Sequence, residues 1–217
     1  MTDGWFDLIA TATRETLVMV LIAMAVTIPL GLLLGVLLLI TGRGQILEQP
    51  VANKLIAAVV NVGRSVPFII LLVAVIPLTR ALVGTTIGTT AAIVPLALAT
   101  IPFFARIVET SLREVPGGLV EAAVASGARR RDVVSKVLIP EALPSLVAGV
   151  TITTIGVLGY SAMAGAVGGG GLGDVAIRYG YQRYETDITI ATVVVLVALV
   201  QLLQFAGDRL ARRLSHT

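Results

Sequence analysis

The residues of this sequence that carry chemistry are few, and they point away from bond-making. Gly168-Gly169-Gly170-Gly171-Leu172-Gly173 satisfies G-x-G-x-x-G, the spacing with which a strand-to-helix turn brings backbone amides up to a pyrophosphate. That fingerprint needs a strand before it and a Rossmann helix after it, and this setting is not predicted here. No Lys-Ser or Lys-Thr follows to make a phosphate loop. The glycines read instead as a place where the chain breaks helix and turns. There is no cysteine, which removes disulfides and thiolate metal sites. The one histidine, His216, lies in the C-terminal tail, so neither a histidine metal site nor a serine–histidine protease has a candidate. No catalytic residue and no metal ligand is expected.

A second segment has the make-up of a mechanical contact. Glu121-Ala122-Ala123-Val124-Ala125-Ser126-Gly127 is followed by Ile139-Pro140-Glu141-Ala142-Leu143-Pro144. Pro116 can open a short helix, Glu121 then falls in an early turn where negative charge suits the helix dipole, and Gly127 supplies a left-handed stop. Ala122, Ala123 and Ala125 are small enough to let another protein's surface approach closely, and Arg129, Arg130 and Arg131 would anchor the segment at a membrane face. Two readings stay open on the residues alone: a docking knob, and an ordinary loop helix lying on lipid.

A third feature is a stripe. Thr153, Gly156, Tyr160 and Met163 are spaced 3, 4 and 3 apart, so they share a helical face carrying a hydroxyl, a gap, a phenol and a soft thioether. Such a face can line a passage. The alternative is that Gly149, Thr153 and Gly156 are a small-residue surface for tight helix packing. Arg64 is a charge inside an otherwise apolar stretch; it reads either as a functional intramembrane cation or as one snorkelling at the cytoplasmic interface.

The elements that must position these residues are membrane helices. Hydrophobic residues make up 56% of the 217, charged ones 13%, and mean hydropathy is +0.96. A soluble domain needs roughly a quarter of its residues charged. With roughly 20 apolar residues per crossing, five spans are predicted, at about 16–41, 55–78, 88–108, 137–163 and 188–207. They form one transmembrane domain over 16–210, with an extracytoplasmic segment 1–15 before it, a connecting loop at about 116–136, and a cytoplasmic tail 211–217. The first run lacks the basic start, short apolar core and cleavage site of a signal peptide. The net charge of +3 reports topology rather than a nucleic-acid partner, because basic residues flank the apolar runs. With the N-terminus outside, only Arg14, Arg80, Arg178 and Arg183 of the 16 basic residues lie on the outer side, which predicts N-out, C-in. Pro29, Pro67, Pro77, Pro95, Pro102 and Pro144 fall in or at the ends of spans, where each can kink its helix around a cavity or simply be tolerated.

Glu121-Ala122-Ala123, three residues, Gly127, and about eleven residues on Ile139-Pro140 resemble the EAA loop of permease subunits in type I ABC importers. Arg64-Ser65-Val66-Pro67-Phe68-Ile69-Ile70-Leu71-Leu72, Gly159-Tyr160-Ser161-Ala162-Met163 and Gln204-Phe205-Ala206-Gly207-Asp208-Arg209 resemble the methionine permease subgroup of these binding-protein-dependent inner-membrane components. The likeness extends over all five spans. It implies an all-α, five-span permease in the bacterial inner membrane that pairs with a second copy around a central path. It also implies a coupling helix, carried by Glu121, Ala122, Ala123, Gly127, Ile139 and Pro140, seated in a groove of an ATPase subunit. Tyr160, Ser161 and Met163 would lie in the gate region beside Thr153 and Gly156. Two ATP-binding subunits would hold ATP and magnesium, since this chain has no Walker motif, and a methionine-binding protein would dock outside, where Asp174, Arg178, Arg183, Glu185 and Asp187 cluster. The chain itself would be a transporter permease without cofactor, not an enzyme. One rival is a related permease for another amino acid or an osmoprotectant. Another is a self-contained channel or secondary transporter, which would need a coupling carboxylate at mid-span where spans one, three and five have none.

Overall fold

A chain this apolar buries little by helix faces alone, so the places where prolines and glycines interrupt it decide the architecture. The computed structural model describes residues 3–215, and the expectation for His216 falls outside the described residues. Helix α1, Asp3–Ile40, has 38 residues, about 57 Å at 1.5 Å per residue against roughly 30 Å of hydrocarbon. The boundary expected at residue 16 is therefore not a helix boundary, and the described part of 1–15 continues the same helix. From Trp5 to Thr16 no glycine or proline stops the helix. Ala12, flanked by Leu8 and Ile9, buries against Leu172, Val175 and Ile188, which gives this stretch a packed face.

The second expected span, 55–78, is corrected more deeply. It comprises α2 (Pro50–Ser65), α3 (Phe68–Ala74) and the start of α4 (Ile76–Val83), and α2 and α3 meet at 103°. Pro67 is the cause: its ring disfavours the helical region for the residue before it, and Val66 is extended at φ −83°, ψ 122°. Pro50 and Pro77 sit in first turns, where a missing N–H leaves nothing unsatisfied.

Helix α5, Thr89–Arg113, starts beside the expected residue 88 and runs five residues past the expected end at 108. Next come α6 (Gly117–Ala125), α7 (Arg130–Val133), a π-helical turn Val134–Leu138, α8 (Ile139–Glu141) and α9 (Leu143–Gly165). Pro140 cannot donate to the helix it enters, and the turn before it is wound to i+5 bonding, with the Ile139 amide on the Val134 carbonyl. After the glycine run, α10 (Gly171–Val175) continues through a second π-helical stretch, Ala176–Tyr181, to α11, Thr186–Leu214, which carries the expected 188–207 span onward past Arg209, Arg212 and Arg213. Helices α1, α5, α9 and α11 are each long and apolar enough to cross a membrane, and α2 with α3 makes a fifth, bent crossing if counted as one span.

Helix α5 is the centre of the bundle, with α1, α2, α3 and α9 around it. The α1–α5 seam depends on Gly31 and Gly35, a G-x-x-x-G pair. A Cβ on Gly35 would lie 2.5 Å from Val108 Cβ, so the two backbones approach as closely as atoms permit. Across the same seam the hydroxyls of Thr27 and Thr100 are 2.8 Å apart, both buried. Large apolar side chains such as Leu21, Leu33, Ile190, Val194 and Phe205 point outward, the arrangement of a bundle solvated by lipid. The glycine run is a turn: Gly168, Gly170 and Gly171 have φ of 85°, 77° and 74°. Its amides are held from α1, Gly171 donating to Glu15 Oε2 at 2.7 Å and Leu172 to Thr16 Oγ1 at 2.9 Å.

Candidate coupling helix and transport face

Helix α6 stands on Pro116 as its N-cap, and none of its nine residues is buried. Its far end is closed by geometry that needs glycine. Gly127 lies at φ 79°, its amide donates to the Val124 carbonyl at 3.0 Å, and the Ala128 amide donates to the Ala123 carbonyl at 3.0 Å. These are the two bonds of a Schellman stop. Ala123 and Ala128, together with Val120, pack onto the cluster of Phe104, Val108, Val133 and Leu138. Ala123 therefore faces the bundle rather than outward. Leu119, Ala122, Val124 and Ala125 are exposed, as is Glu121. Glu121 lies in an early turn, the second, because the helix opens at Gly117, and a dipole effect fades beyond the first turn. Ile139 joins the same cluster as Ala123, and Pro140 is exposed above it. Arg129, Arg130 and Arg131 are all exposed next to α6.

The face of α9 differs from the stripe read off the sequence. Thr153 is fully buried and turns its hydroxyl to the Gly149 carbonyl at 2.7 Å. Ser161 is buried as well, donating to the Leu158 carbonyl. Gly149 packs on Ile107, so the tight-packing alternative describes Gly149 and Thr153. Gly156 and Gly159 would meet nothing within 4 Å of an added Cβ, and Ile152 and Met163 are exposed. The open stripe is thus Ile152, Gly156, Gly159 and Met163, which shares Gly156 and Met163 with the expected one and has Ile152 and Gly159 in place of Thr153 and Tyr160. Tyr160 borders it, half-buried, its ring stacked on Phe68 with centroids 4.7 Å apart and planes at 11°. The Pro67 bend is what delivers Phe68 to that position.

Sequence reading passed over a charged cluster at the lower end of α5. Glu109 is buried and accepts from Arg106 and, at 2.7 Å, from Arg113, while Arg106 also donates to Asn61 of α2 at 2.6 Å. The signal was present as Arg-x-x-Glu-x-x-x-Arg on one helical face. Arg64, in the last turn of α2, is exposed and shares none of these partners. On the opposite side of the bundle Arg178 pairs with Asp174 at 2.7 Å and Arg183 stacks over Tyr179, leaving Tyr181, Tyr184 and Asp187 exposed around them.

A helical bundle with lipid-facing apolar sides, an open stripe on one helix and a short helix backed on the bundle with its outer face exposed defines a membrane-spanning transport component. The chain belongs to the family of binding-protein-dependent transport system inner membrane components, whose model matches residues 27–216. It is a multi-pass membrane protein of that class, and a transport component rather than an enzyme. It is 56% identical over 216 residues, 98% of this chain and 96% of the relative, to the probable D-methionine transport system permease protein MetI of Vibrio cholerae. It is 48% identical to the D-methionine transport system permease protein MetI of Escherichia coli, covering 99% of each chain. To the methionine import system permease protein MetP of Bacillus subtilis it is 44% identical, over 79% of this chain and 78% of that one. A solved structure of inward facing conformations of the MetNI methionine ABC transporter superimposes with a TM-score of 0.98 at 48% identity, covering 100% of both chains. The all-α type I importer permease fold expected from the sequence is the fold observed.

Proposed function

We propose that the chain is the membrane-spanning subunit of an ATP-driven methionine importer. Two copies would enclose the path, two ATP-binding subunits carrying ATP and magnesium would dock from the cytoplasm, and a methionine-binding protein would deliver substrate from outside. The observation that carries the coupling part is α6: an exposed helix with a small, apolar outer surface of Leu119, Ala122, Val124 and Ala125, ended by a glycine stop and backed by the cluster around Phe104. A surface of that kind suits insertion into a partner's groove, and its backing joins it to α5 and α9, so a push on α6 reaches the transport face. Methionine as substrate is supported by the names of relatives matched over nearly the whole chain. A second copy is supported by the stripe Ile152, Gly156, Gly159 and Met163, which is left open among the described residues. Of the expected path residues, Gly156, Tyr160 and Met163 stay in this proposal, while buried Thr153 and Ser161 support the helix behind them. The division of basic residues supports an N-out, C-in orientation, with α6 and Arg129–Arg131 cytoplasmic. The test is reconstitution: the permease with its ATPase in liposomes, given ATP and the binding protein, should accumulate methionine. Accumulation of a different amino acid, or of an osmoprotectant, in preference to methionine would assign the rival substrate instead.

A further inference from the structure

Resting on that reading, we infer that Arg64 forms a carboxylate subsite within the transport path, walled by aromatic rings that receive the thioether of methionine. Two cavities meet at this arginine. One, of about 270 Å³, is lined by Arg64, Val66, Phe68, Ala99, Phe103 and Tyr160. The other, of about 290 Å³, is lined by Arg64 and Phe103 together with Arg106, Thr110, Ser111, Glu114 and Ser145 among others. Arg64 and Phe103 are common to both, so Arg64 stands on the step between the two chambers.

The depth of the step gives it significance. Ala99 and Phe103 lie near the midpoint of the 25-residue α5, a helix long and apolar enough to cross a membrane, so the cavity that Arg64 lines with them lies near mid-span, and the second cavity runs from it toward the end of α5. A cation held at that depth faces water or an anion, because hydrocarbon would expel it. The neighbouring arginines are already satisfied, Arg106 by Glu109 and Asn61 and Arg113 by Glu109. Among the described residues Arg64 has no ion-pair or hydrogen-bond partner, and Glu114, the carboxylate that lines the second cavity with it, makes no ion pair with it. Its five N–H donors are therefore free for a planar carboxylate, which they fit bidentately. Phe68, Phe103 and Tyr160 supply ring edges of the kind that attract a thioether sulfur. A zwitterionic amino acid with a sulfur-bearing side chain matches both halves of the chamber, and the affinity is modest by design, since a path must release what it binds.

The experiment uses the absence of cysteine. Ala99→Cys places one thiol on the cavity wall of the permease–ATPase complex in nanodiscs, without binding protein, and its alkylation rate is followed. L-Methionine should slow alkylation. L-Methioninol, which keeps thioether and ammonium but lacks the carboxylate, should protect with about tenfold weaker apparent affinity or worse, as expected for loss of a charge-assisted pair. In the Arg64→Gln background methionine should lose the same factor, while Arg64→Lys keeps part of it. Equal protection by methionine and methioninol in the Arg64 complex overturns the inference whether or not Arg64→Gln assembles. So does slowing that follows the anionic lipid content of the disc rather than methionine. If the complex with Arg64 intact fails to accumulate methionine in the reconstituted assay, the importer reading itself falls, and the subsite with it. If it accumulates methionine but the thiol is not protected, only the subsite falls.

Discussion

Replacing Gly127 by valine asks whether the coupling role proposed for α6 depends on the backbone geometry that ends it. Gly127 lies at φ 79°, where a β-branched residue is strained by roughly 1–3 kcal/mol. The strain acts on a small unit, since α6 has nine residues and none of them is buried. It therefore appears as fraying of the helix end rather than as unfolding of the bundle. An energy of that size shifts the balance between capped and frayed ends by about 5- to 150-fold. The amide bonds from Gly127 to Val124 and from Ala128 to Ala123 are then lost, and with them the orientation of the exposed Ala122 and Ala125. Gly127→Asn is the matched control, because asparagine tolerates the left-handed region far better than valine. Both variants should insert and reach parental levels in the membrane. The valine variant should retain the ATPase poorly in pull-down and transport methionine slowly or not at all in liposomes with ATP and binding protein, while the asparagine variant keeps most of both. Normal retention and uptake by the valine variant would show that α6 is not the coupling element. Equal loss in both variants would show that the left-handed backbone is not what the site requires.

Three further outcomes follow from other parts of the bundle. Single cysteines at Asp187 and Arg130, both exposed positions, should react in opposite ways with a membrane-impermeant thiol reagent in intact cells, the first labelled and the second not; labelling at Arg130 would reverse the topology. Met163→Ala removes a flexible side chain that is 46% exposed on the open stripe of α9, so the complex should assemble normally yet show altered uptake or a measurable leak, and unchanged flux and leak would return Met163 to plain packing. Gly35→Leu places a Cβ 2.5 Å from Val108 Cβ and 2.6 Å from the Ala105 carbonyl oxygen; separation of α1 from α5 should destabilise the detergent-solubilised protein by about 1–3 kcal/mol or prevent its accumulation, read as a lowered thermal midpoint, and a parental midpoint would refute the close seam.

Composition and local chemistry determined the class of this protein without help from tertiary structure. Apolar runs of spanning length leave a helix as the only self-satisfied backbone in lipid, so four of the crossings, the Gly88 start of α5, the glycine turn at 168–173 and the Gly127 stop were all legible. These are effects of a residue on its own backbone and its immediate neighbours. What tertiary structure alone decided was which way each side faces. Thr153 and Ile152 are adjacent in sequence, and only the packing of α9 against α5 through Gly149 and Ile107 buries the first and exposes the second. In the same way Ala123 turns inward because the Schellman bond to Ala128 holds both alanines on one cluster. Pro67 announced a break in the chain, but its angle of 103°, and so the meeting of Phe68 with Tyr160 and of Arg64 with the middle of α5, depends on where α3 finds a surface to cover. In a chain apolar on every side hydropathy marks no inward face, and the closest fit between helices chooses it instead.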